Sequence, residues 1–225
     1  MAVPAQFAGA EVAGAVWSFA AVVALLTVTP GLDTALVLRT SLMSGRRAAW
    51  GVTFGIQLGT LTWGVLTAAG LSALLAASQT AYTVLRWAGA AYLVWLGLRM
   101  LLARRGRQGD PQPEEAEGPG GQKGEGGFWA ALRRGLTTNL LNPKVGAFYV
   151  AMLPQFIPDG APHAVMGLLL AGVHVAEGLL WSALLIGFAA LMGGVLRSPA
   201  VRRLLDRLCG AVIVGFGVRL ALASD

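Results

Sequence analysis

The sequence predicts an all-α polytopic membrane protein whose six transmembrane helices form a 3+3 inverted-topology repeat. The chain is 56% hydrophobic and only 12% charged, with a mean hydropathy of +0.65, whereas soluble domains contain roughly 25% charged residues. Prolines also interrupt two apolar segments at corresponding places, Pro30 in the first segment and Pro143 in the fourth. A proline inside a helix frees backbone groups that lipid cannot satisfy, so paired interruptions favour a binding site near the membrane midplane.

A helix needs about twenty apolar residues to cross a bilayer, and six segments of the chain meet this requirement. The residues before the first segment include no Lys or Arg, so we expect an uncleaved signal anchor there. The last segment is the weakest, because charged residues crowd both of its ends. The predicted spans are Ala15–Leu38, Ala49–Leu75, Ala81–Leu102, Ala130–Phe156, Ala164–Leu191 and Arg203–Leu222.

Basic residues orient the predicted bundle. Fourteen of the 17 Lys and Arg residues lie in or beside the connections after the first, third and fifth spans, so the positive-inside rule predicts N-out and C-out termini. Three spans per half give the two halves opposite topology. We expect residues 1–103 to form the first repeat, residues 104–127 a flexible cytoplasmic linker, and residues 128–225 the second repeat.

The cysteine and histidine content argues against a metal site, and no cofactor is expected. Cys209 is the single cysteine, and His163 and His174 are the only histidines, which leaves too few ligands for a usual zinc site. His174 has no nucleophile in a recognisable motif, so an enzyme is not expected. The membrane topology explains the net charge of +6, so no nucleic-acid partner is expected either.

Glycines recur in the second and fifth spans, where we expect them to let neighbouring helices approach closely. They are Gly51, Gly55, Gly59, Gly167, Gly172 and Gly178. The alternative is that glycine is simply common in membrane helices. Gly55 and Gly59 also give an outer face a GxxxG-like surface, which makes a homodimer an open expectation.

Four short motifs together resemble one known family. They are Thr29-Pro30-Gly31-x-Asp33, Gly89-Ala90-Ala91-Tyr92-Leu93-x-x-Leu96-Gly97, Asn142-Pro143-Lys144 and Leu153-Pro154-Gln155-Phe156. In order and spacing they are similar to the lysine-exporter (LysE/RhtB-type) amino-acid exporter family across nearly the whole chain. The resemblance implies export of amino acids or their derivatives across the bacterial inner (plasma) membrane, driven by the proton motive force. Leu32 departs from the family pattern, which usually repeats proline there, and this softens the expected helix break.

Polar and ionisable groups at the interruptions form the candidate substrate site, because charged groups inside spans are costly and usually functional. We expect Lys144 and freed backbone N–H groups to hold a carboxylate, and Asp33 and freed carbonyls to hold an ammonium group. The alternative is that Asp33 and Lys144 pair with each other and stabilise the broken helices. The predicted binding and translocation residues are Thr29, Pro30, Gly31, Asp33, Gln57, Asn142, Pro143 and Lys144.

Proton coupling is assigned to Glu177, with His174 three residues before it on the same helix face. The alternative is a hydrogen-bonded Glu177 that only fixes helix packing. Trp63 and Trp181 also lie deep in their spans, and packing is favoured over substrate contact for both.

These patterns favour a secondary transporter in the lipid bilayer that exchanges protons for an amino-acid substrate by alternating access of its two halves. A divalent metal-cation exporter is the alternative function, and a purely structural membrane subunit comes third. The sequence contains no repeated carbonyl loop or charged ring of the kind that forms a channel filter.

Overall fold

The structure, a computed structural model, describes residues 5–102, 127–191, 195 and 198–222. The regular elements in these ranges are all helical. The main α-helices are α1 (Ala5–Val28), α2 (Leu32–Ser44), α3 (Arg46–Ala77), α4 (Gln79–Leu102), α5 (Phe128–Leu140), α6 (Pro143–Met152), α7 (His163–Gly187) and α8 (Pro199–Leu222), and a 3₁₀ helix spans Leu153–Phe156. Residues 104–126 of the predicted linker lie outside the described residues.

Among the described residues, three helices are long and apolar enough to cross a membrane on their own. They span Gly9–Val28, Arg46–Gly70 and His163–Gly187. Large apolar side chains such as Trp17 and Leu180 are exposed on the outer surface, as lipid-facing residues are. The described part of the chain is therefore an all-helical membrane protein. The arrangement of six spans as an inverted repeat stays a prediction, because α2, α5 and α6 are each too short to cross alone.

The first interruption lies between α1 and α2, at Thr29, Pro30 and Gly31. The helical hydrogen bonds of α1 continue to Thr29, whose N–H donates to the Leu25 carbonyl at 3.1 Å. Pro30 has no N–H, so the carbonyl of Leu26, four residues earlier, loses its helical donor. The first interruption therefore lies where the sequence predicts it and leaves a backbone acceptor free.

The second interruption separates α5 from α6 at Leu141 and Asn142. Asn142 is the N-cap of α6, and its side-chain oxygen accepts a hydrogen bond from the Lys144 N–H at 3.1 Å. Pro143 is the first residue of α6, a position where the missing N–H costs nothing. The fourth predicted span therefore breaks within Asn139–Lys144, as the sequence predicts, and Pro143 begins the helix that follows the break.

α3 and α5 run parallel and make contact through three glycines of α3. A Cβ at Gly51 would lie 2.6 Å from the Phe128 carbonyl oxygen, and one at Gly59 would lie 2.5 Å from the Asn139 side-chain oxygen. Gly55 lies similarly close to the α5 backbone. The expected role of these glycines in close helix contact is confirmed. The surface of Gly55 and Gly59 faces α5, however, so the reason given for a homodimer is wrong.

α7 runs antiparallel to α3 and packs on it through two further glycines. Gly178 lies against the Gln57 side chain, and Gly167 lies against Ala68. None of the described atoms beyond its own helical turn lies within 4 Å of a Cβ built at Gly172. The expected helix contact at Gly172 is therefore wrong.

α4 and α8 form another antiparallel pair. Gly97 faces Gly210, and Gly217 faces Ala90. Cys209 of α8 is a buried free thiol. It belongs to the larger core cluster described next.

In the described part of the chain, buried apolar side chains form two clusters. The larger cluster joins α1, α4, α6, the 3₁₀ helix, α7 and α8, and includes Phe19 and Tyr149. The smaller cluster joins α2, α3, α5 and α7, and includes Val52 and Leu185. Since α1 and α6 belong to the larger cluster and α2 and α5 to the smaller, the chain passes from one cluster to the other at each interruption.

Candidate functional site

A central cavity of about 70 Å³ lies where the two clusters meet. Leu26 and Val145 of the larger cluster contribute to its wall, as do Val37 and Leu185 of the smaller cluster. The predicted binding residues line it except for the two prolines, and those present are Thr29, Gly31, Asp33, Gln57, Asn142 and Lys144. The fold thus brings residues of both interruptions and of α3 around one cavity.

The Lys144 side chain reaches from α6 to the end of α1. Its Nζ donates to the carbonyl oxygens of Leu26 and Thr29, each at 3.3 Å. The Leu26 carbonyl is the acceptor that loses its helical donor at Pro30, and a cation is favoured at the C-terminal end of a helix. Lys144 therefore supplies the hydrogen bond that the first interruption removes.

The Asp33 side chain makes the reciprocal contact, from α2 to the second interruption. Its Oδ2 accepts a hydrogen bond from Asn139 Nδ2 at 2.8 Å, and its Oδ1 accepts one from Asn142 Nδ2 at 3.4 Å. Asn139 lies in the last turn of α5 and is 1% exposed. Asp33 itself lies in the first turn of α2, where a negative charge is favoured.

Asp33 and Lys144 hydrogen-bond to these groups rather than to each other. The direct pair considered as an alternative is therefore not the arrangement of this conformation. Each charged side chain instead stabilises the interruption that lies in the other half of the chain. Loss of either side chain would strand buried polar groups, at a cost of about 1–3 kcal/mol for each group.

Three polar atoms of residues in the cavity wall are buried and have no hydrogen-bond partner in the described structure. They are Thr27 Oγ1, Gln57 Oε1 and Trp181 Nε1. The Gln57 amide packs against Gly178, where a Cβ would lie 2.7 Å from Gln57 Nε2. Trp181 borders this cavity, although the sequence favours packing over substrate contact for it.

His174 and Glu177 do not line the central cavity. His174 Nδ1 lies 3.1 Å from the Tyr149 hydroxyl, and the two rings stack with centroids 5.7 Å apart. Glu177 Oε2 is buried without a hydrogen-bond partner. The hydrogen-bond partner of His174 in this structure is therefore Tyr149, on α6.

A wider groove of about 530 Å³ lies between α3, α4 and α6. Trp63, Tyr92 and Gly146 line it, and Asn142 lies in the walls of both the groove and the central cavity. Trp63 Nε1 is buried without a partner, as Trp181 Nε1 is. Trp63, however, borders the groove and not the central cavity.

Sequence reasoning does not assign Asn139, Tyr149 or Trp181 to the site. An amide in an apolar span next to a break is a usable signal for Asn139, because a buried polar group needs a partner. Tyr149 is separated from His174 by 25 residues, and its side chain resembles any other interfacial or core aromatic in the sequence. The contact between Tyr149 of α6 and His174 of α7 is therefore visible only in the folded structure.

Comparison with known proteins identifies the family. Residues 24–224 match the family model described as LysE type translocator. The chain belongs to this family. The resemblance found in the sequence motifs is confirmed, and the LysE type translocators are transporters, not enzymes.

Individual relatives of this translocator cover most of its length. An uncharacterized membrane protein of Vibrio cholerae is 32% identical over 200 residues, 89% of this chain and 93% of the relative. The uncharacterized membrane protein YrhP of Bacillus subtilis is 26% identical over 202 residues, which are 90% of this chain and 96% of the relative. The leucine efflux protein of Klebsiella pneumoniae is 31% identical over 201 residues, which are 87% of this chain and 89% of the relative. No solved structure matches.

Proposed function

We propose that this translocator exports amino acids or amino-acid derivatives across the bacterial inner membrane, by proton antiport with alternating access. The family supports export of a small molecule, and the relative named leucine efflux protein supports an amino-acid substrate. The observation that carries the proposal is the contact of the Lys144 ammonium with the carbonyls of Leu26 and Thr29. These carbonyls form a receptor for an ammonium group, and the α-amino group of an amino acid is another such group.

In this mechanism the substrate ammonium group takes the place of Lys144 at the end of α1, with Asp33 close by in the same cavity. The released Lys144 then attracts the substrate carboxylate. A cavity of about 70 Å³ is well below the roughly 300–1,000 Å³ of ordinary ligand pockets. Substrate entry therefore requires the walls to separate, which supports alternating access around the interruptions.

The proposed topology has six crossings, N-out and C-out, with residues 1–103 and 128–225 as inverted repeats. The parallel packing of α3 with α5 and the antiparallel packing of α3 with α7 support it. Arg46 Nη2 also donates to the Gly187 carbonyl at 3.5 Å, so the basic start of α3 lies beside the end of α7. Both of these ends would face the cytoplasm.

Glu177 is the proposed proton carrier, with His174 as a secondary candidate. A buried carboxyl oxygen without a hydrogen-bond partner is free to exchange a proton when the bundle opens to water. The contact of His174 with Tyr149 supports a role for His174 in holding α6 against α7, which would transmit movement between the helices.

Efflux from cells tests the proposal. Cells expressing the chain are preloaded with each of a panel of labelled amino acids, and efflux is followed with and without an uncoupler. Asp33→Asn is compared with Asp159→Asn at matched membrane expression, because Asp159 is exposed in the segment before α7. We expect efflux of one chemical class, lost in Asp33→Asn and with uncoupler, and retained in Asp159→Asn.

Absence of efflux for every amino acid from well-expressed protein would overturn the proposed function. Protection of cells from a divalent cation, without amino-acid efflux, would favour the metal exporter instead. Within the described ranges, no group of three or more His, Cys, Asp and Glu side chains comes together as a metal site.

A further inference from the structure

We propose that Trp181 and Gln57 recognise the two charged groups of a zwitterionic amino acid. The Trp181 indole N–H donates to the substrate carboxylate, and Gln57 Oε1 accepts a hydrogen bond from the substrate ammonium group. This inference rests on the proposed function and adds the substrate class: an amino acid with both groups free, in preference to the corresponding amine.

Each of the two side chains has one polar atom without a hydrogen-bond partner in the described structure. The two atoms are Gln57 Oε1 and Trp181 Nε1, and both are buried. Gln57 is 6% exposed. Buried polar atoms in folded proteins are nearly always hydrogen-bonded, to protein or to water. Both residues line the same small cavity as Asp33 and Lys144. A polar molecule in that cavity can therefore form hydrogen bonds with both atoms.

The packing of α3 on α7 holds these two side chains together. Gly178 leaves the space in which the Gln57 amide lies, because a Cβ there would come within 2.7 Å of Nε2 and 2.8 Å of Oε1. Gly178 and Trp181 are three residues apart on α7 and so share a helix face. The amide of Gln57 is thus held beside the turn of α7 that carries the indole.

The hydrogen-bonding capacity of the two atoms selects the substrate. An indole N–H can only donate, and an amide oxygen can only accept. A carboxylate satisfies the donor and an ammonium group satisfies the acceptor, so a zwitterion satisfies both. An amine without a carboxylate would leave Trp181 Nε1 unpaired, and sites built to bond a polar group discriminate strongly against analogues that lack it.

Trp63 provides a matched control for Trp181. Its indole nitrogen is also buried and unpaired, but it borders the groove between α3, α4 and α6 rather than the central cavity. Replacement of either tryptophan by phenylalanine removes one N–H and reduces the ring by a similar volume. A difference between Trp181→Phe and Trp63→Phe therefore reports the position of the N–H and not the general cost of a smaller ring.

The test is counterflow in proteoliposomes containing the purified full chain. Labelled leucine is the first probe, and another amino acid of the efflux panel replaces it if that one is transported faster. Unlabelled amino acid and its decarboxylated amine, 3-methylbutylamine for leucine, serve as competitors. The half-saturation concentration and the ratio of the two inhibition constants are measured for wild type, Trp181→Phe and Trp63→Phe.

We expect Trp181→Phe to raise the half-saturation concentration about tenfold, the effect of one lost hydrogen bond to a charged group. We also expect it to abolish most of the preference for the amino acid over the amine, while Trp63→Phe keeps that preference. Gln57→Met should weaken competition by the amino acid and the amine alike, and Gln57→Glu, which keeps an acceptor, should retain it.

Two failures are distinguishable. If Trp181→Phe keeps the wild-type preference for the amino acid over the amine, the inference is overturned and the proposed function stands. If the wild-type protein counterflows no amino acid of the panel, the proposed function is overturned and the inference falls with it.

Discussion

Lys144 Nζ lies 3.3 Å from the carbonyl oxygen of Leu26, 118 residues earlier in the chain. That carbonyl is the helical acceptor that Pro30 leaves without a donor. Asp33 makes the reciprocal link to Asn139, 106 residues away, at 2.8 Å. At each interruption a charged side chain from the other half thus bonds polar groups, backbone carbonyls at the first and side-chain amides at the second. These bonds help two broken helices to persist in an apolar interior.

Replacement of Lys144 tests the first of these links. Lys144→Met keeps the length of the side chain and removes its donors, which strands the Leu26 and Thr29 carbonyls. We expect the free energy of unfolding to fall by about 1–3 kcal/mol for each stranded carbonyl and efflux to be lost. Thermal unfolding in detergent and cell efflux measure the two effects. Lys144→Arg, which keeps a cation and donors, should retain more of the stability, and a Lys144→Met protein as stable as wild type would contradict the proposed link.

An exchange of two side chains tests the second link. Asn139→Asp alone places a second carboxylate opposite Asp33, and we expect it to lower expression and thermal stability. Asp33→Asn alone removes the charged acceptor of the Asn139 amide. The double variant Asp33→Asn with Asn139→Asp restores one carboxylate and one amide at the same positions. Its loss in free energy of unfolding should therefore be smaller than the losses of the two single variants added together. Strict additivity in this double-mutant cycle would show that the two side chains do not interact.

The sequence predicts the position of the first break and the gathering of polar residues around it, because proline chemistry is local. It also predicts the second break within Asn139–Lys144, and the structure has it at Leu141 and Asn142, directly before Pro143, which is favourable at the first position of a helix. The partners of Asp33 and Lys144, in contrast, escape sequence reasoning. Each partner lies more than 100 residues away, so only the assembled fold brings them together.

The close contact of α3 and α5 predicts opposite effects for two glycine substitutions. A Cβ at Gly55 would overlap the backbone of Leu132, so Gly55→Ala should force the helices apart and destabilise the protein by about 1–3 kcal/mol. A Cβ at Gly172 would have no described neighbour within 4 Å. Gly172→Ala should therefore be neutral or stabilising by up to about 1 kcal/mol. Thermal unfolding of both purified variants measures the difference. Equal melting temperatures would contradict the close α3–α5 contact.

Glycine spacing by itself does not separate these two cases. Gly55 and Gly172 both lie in apolar spans with other glycines nearby, and the sequence assigns both to helix contacts. The structure assigns only Gly55 to one. The face that a helix turns to its neighbours depends on tertiary packing, so a glycine pattern predicts that a close contact exists better than it predicts which helix makes it.

Glu177 gives a prediction on coupling that is separate from substrate recognition. Glu177→Gln keeps the shape of the side chain but cannot carry a proton. Since Glu177 does not line the central cavity, we expect counterflow of substrate without a pH gradient to continue. Uphill transport driven by a pH gradient should be lost, and both are measured in proteoliposomes.

Glu11→Gln is the matched control for this experiment, because Glu11 is exposed near the start of α1. It should support gradient-driven transport at the wild-type level. Uphill transport by Glu177→Gln at that level would show that another group carries the proton. Loss of counterflow as well would instead indicate that Glu177 acts in helix packing. In that role its buried Oε2, which has no hydrogen-bond partner in this conformation, would need one.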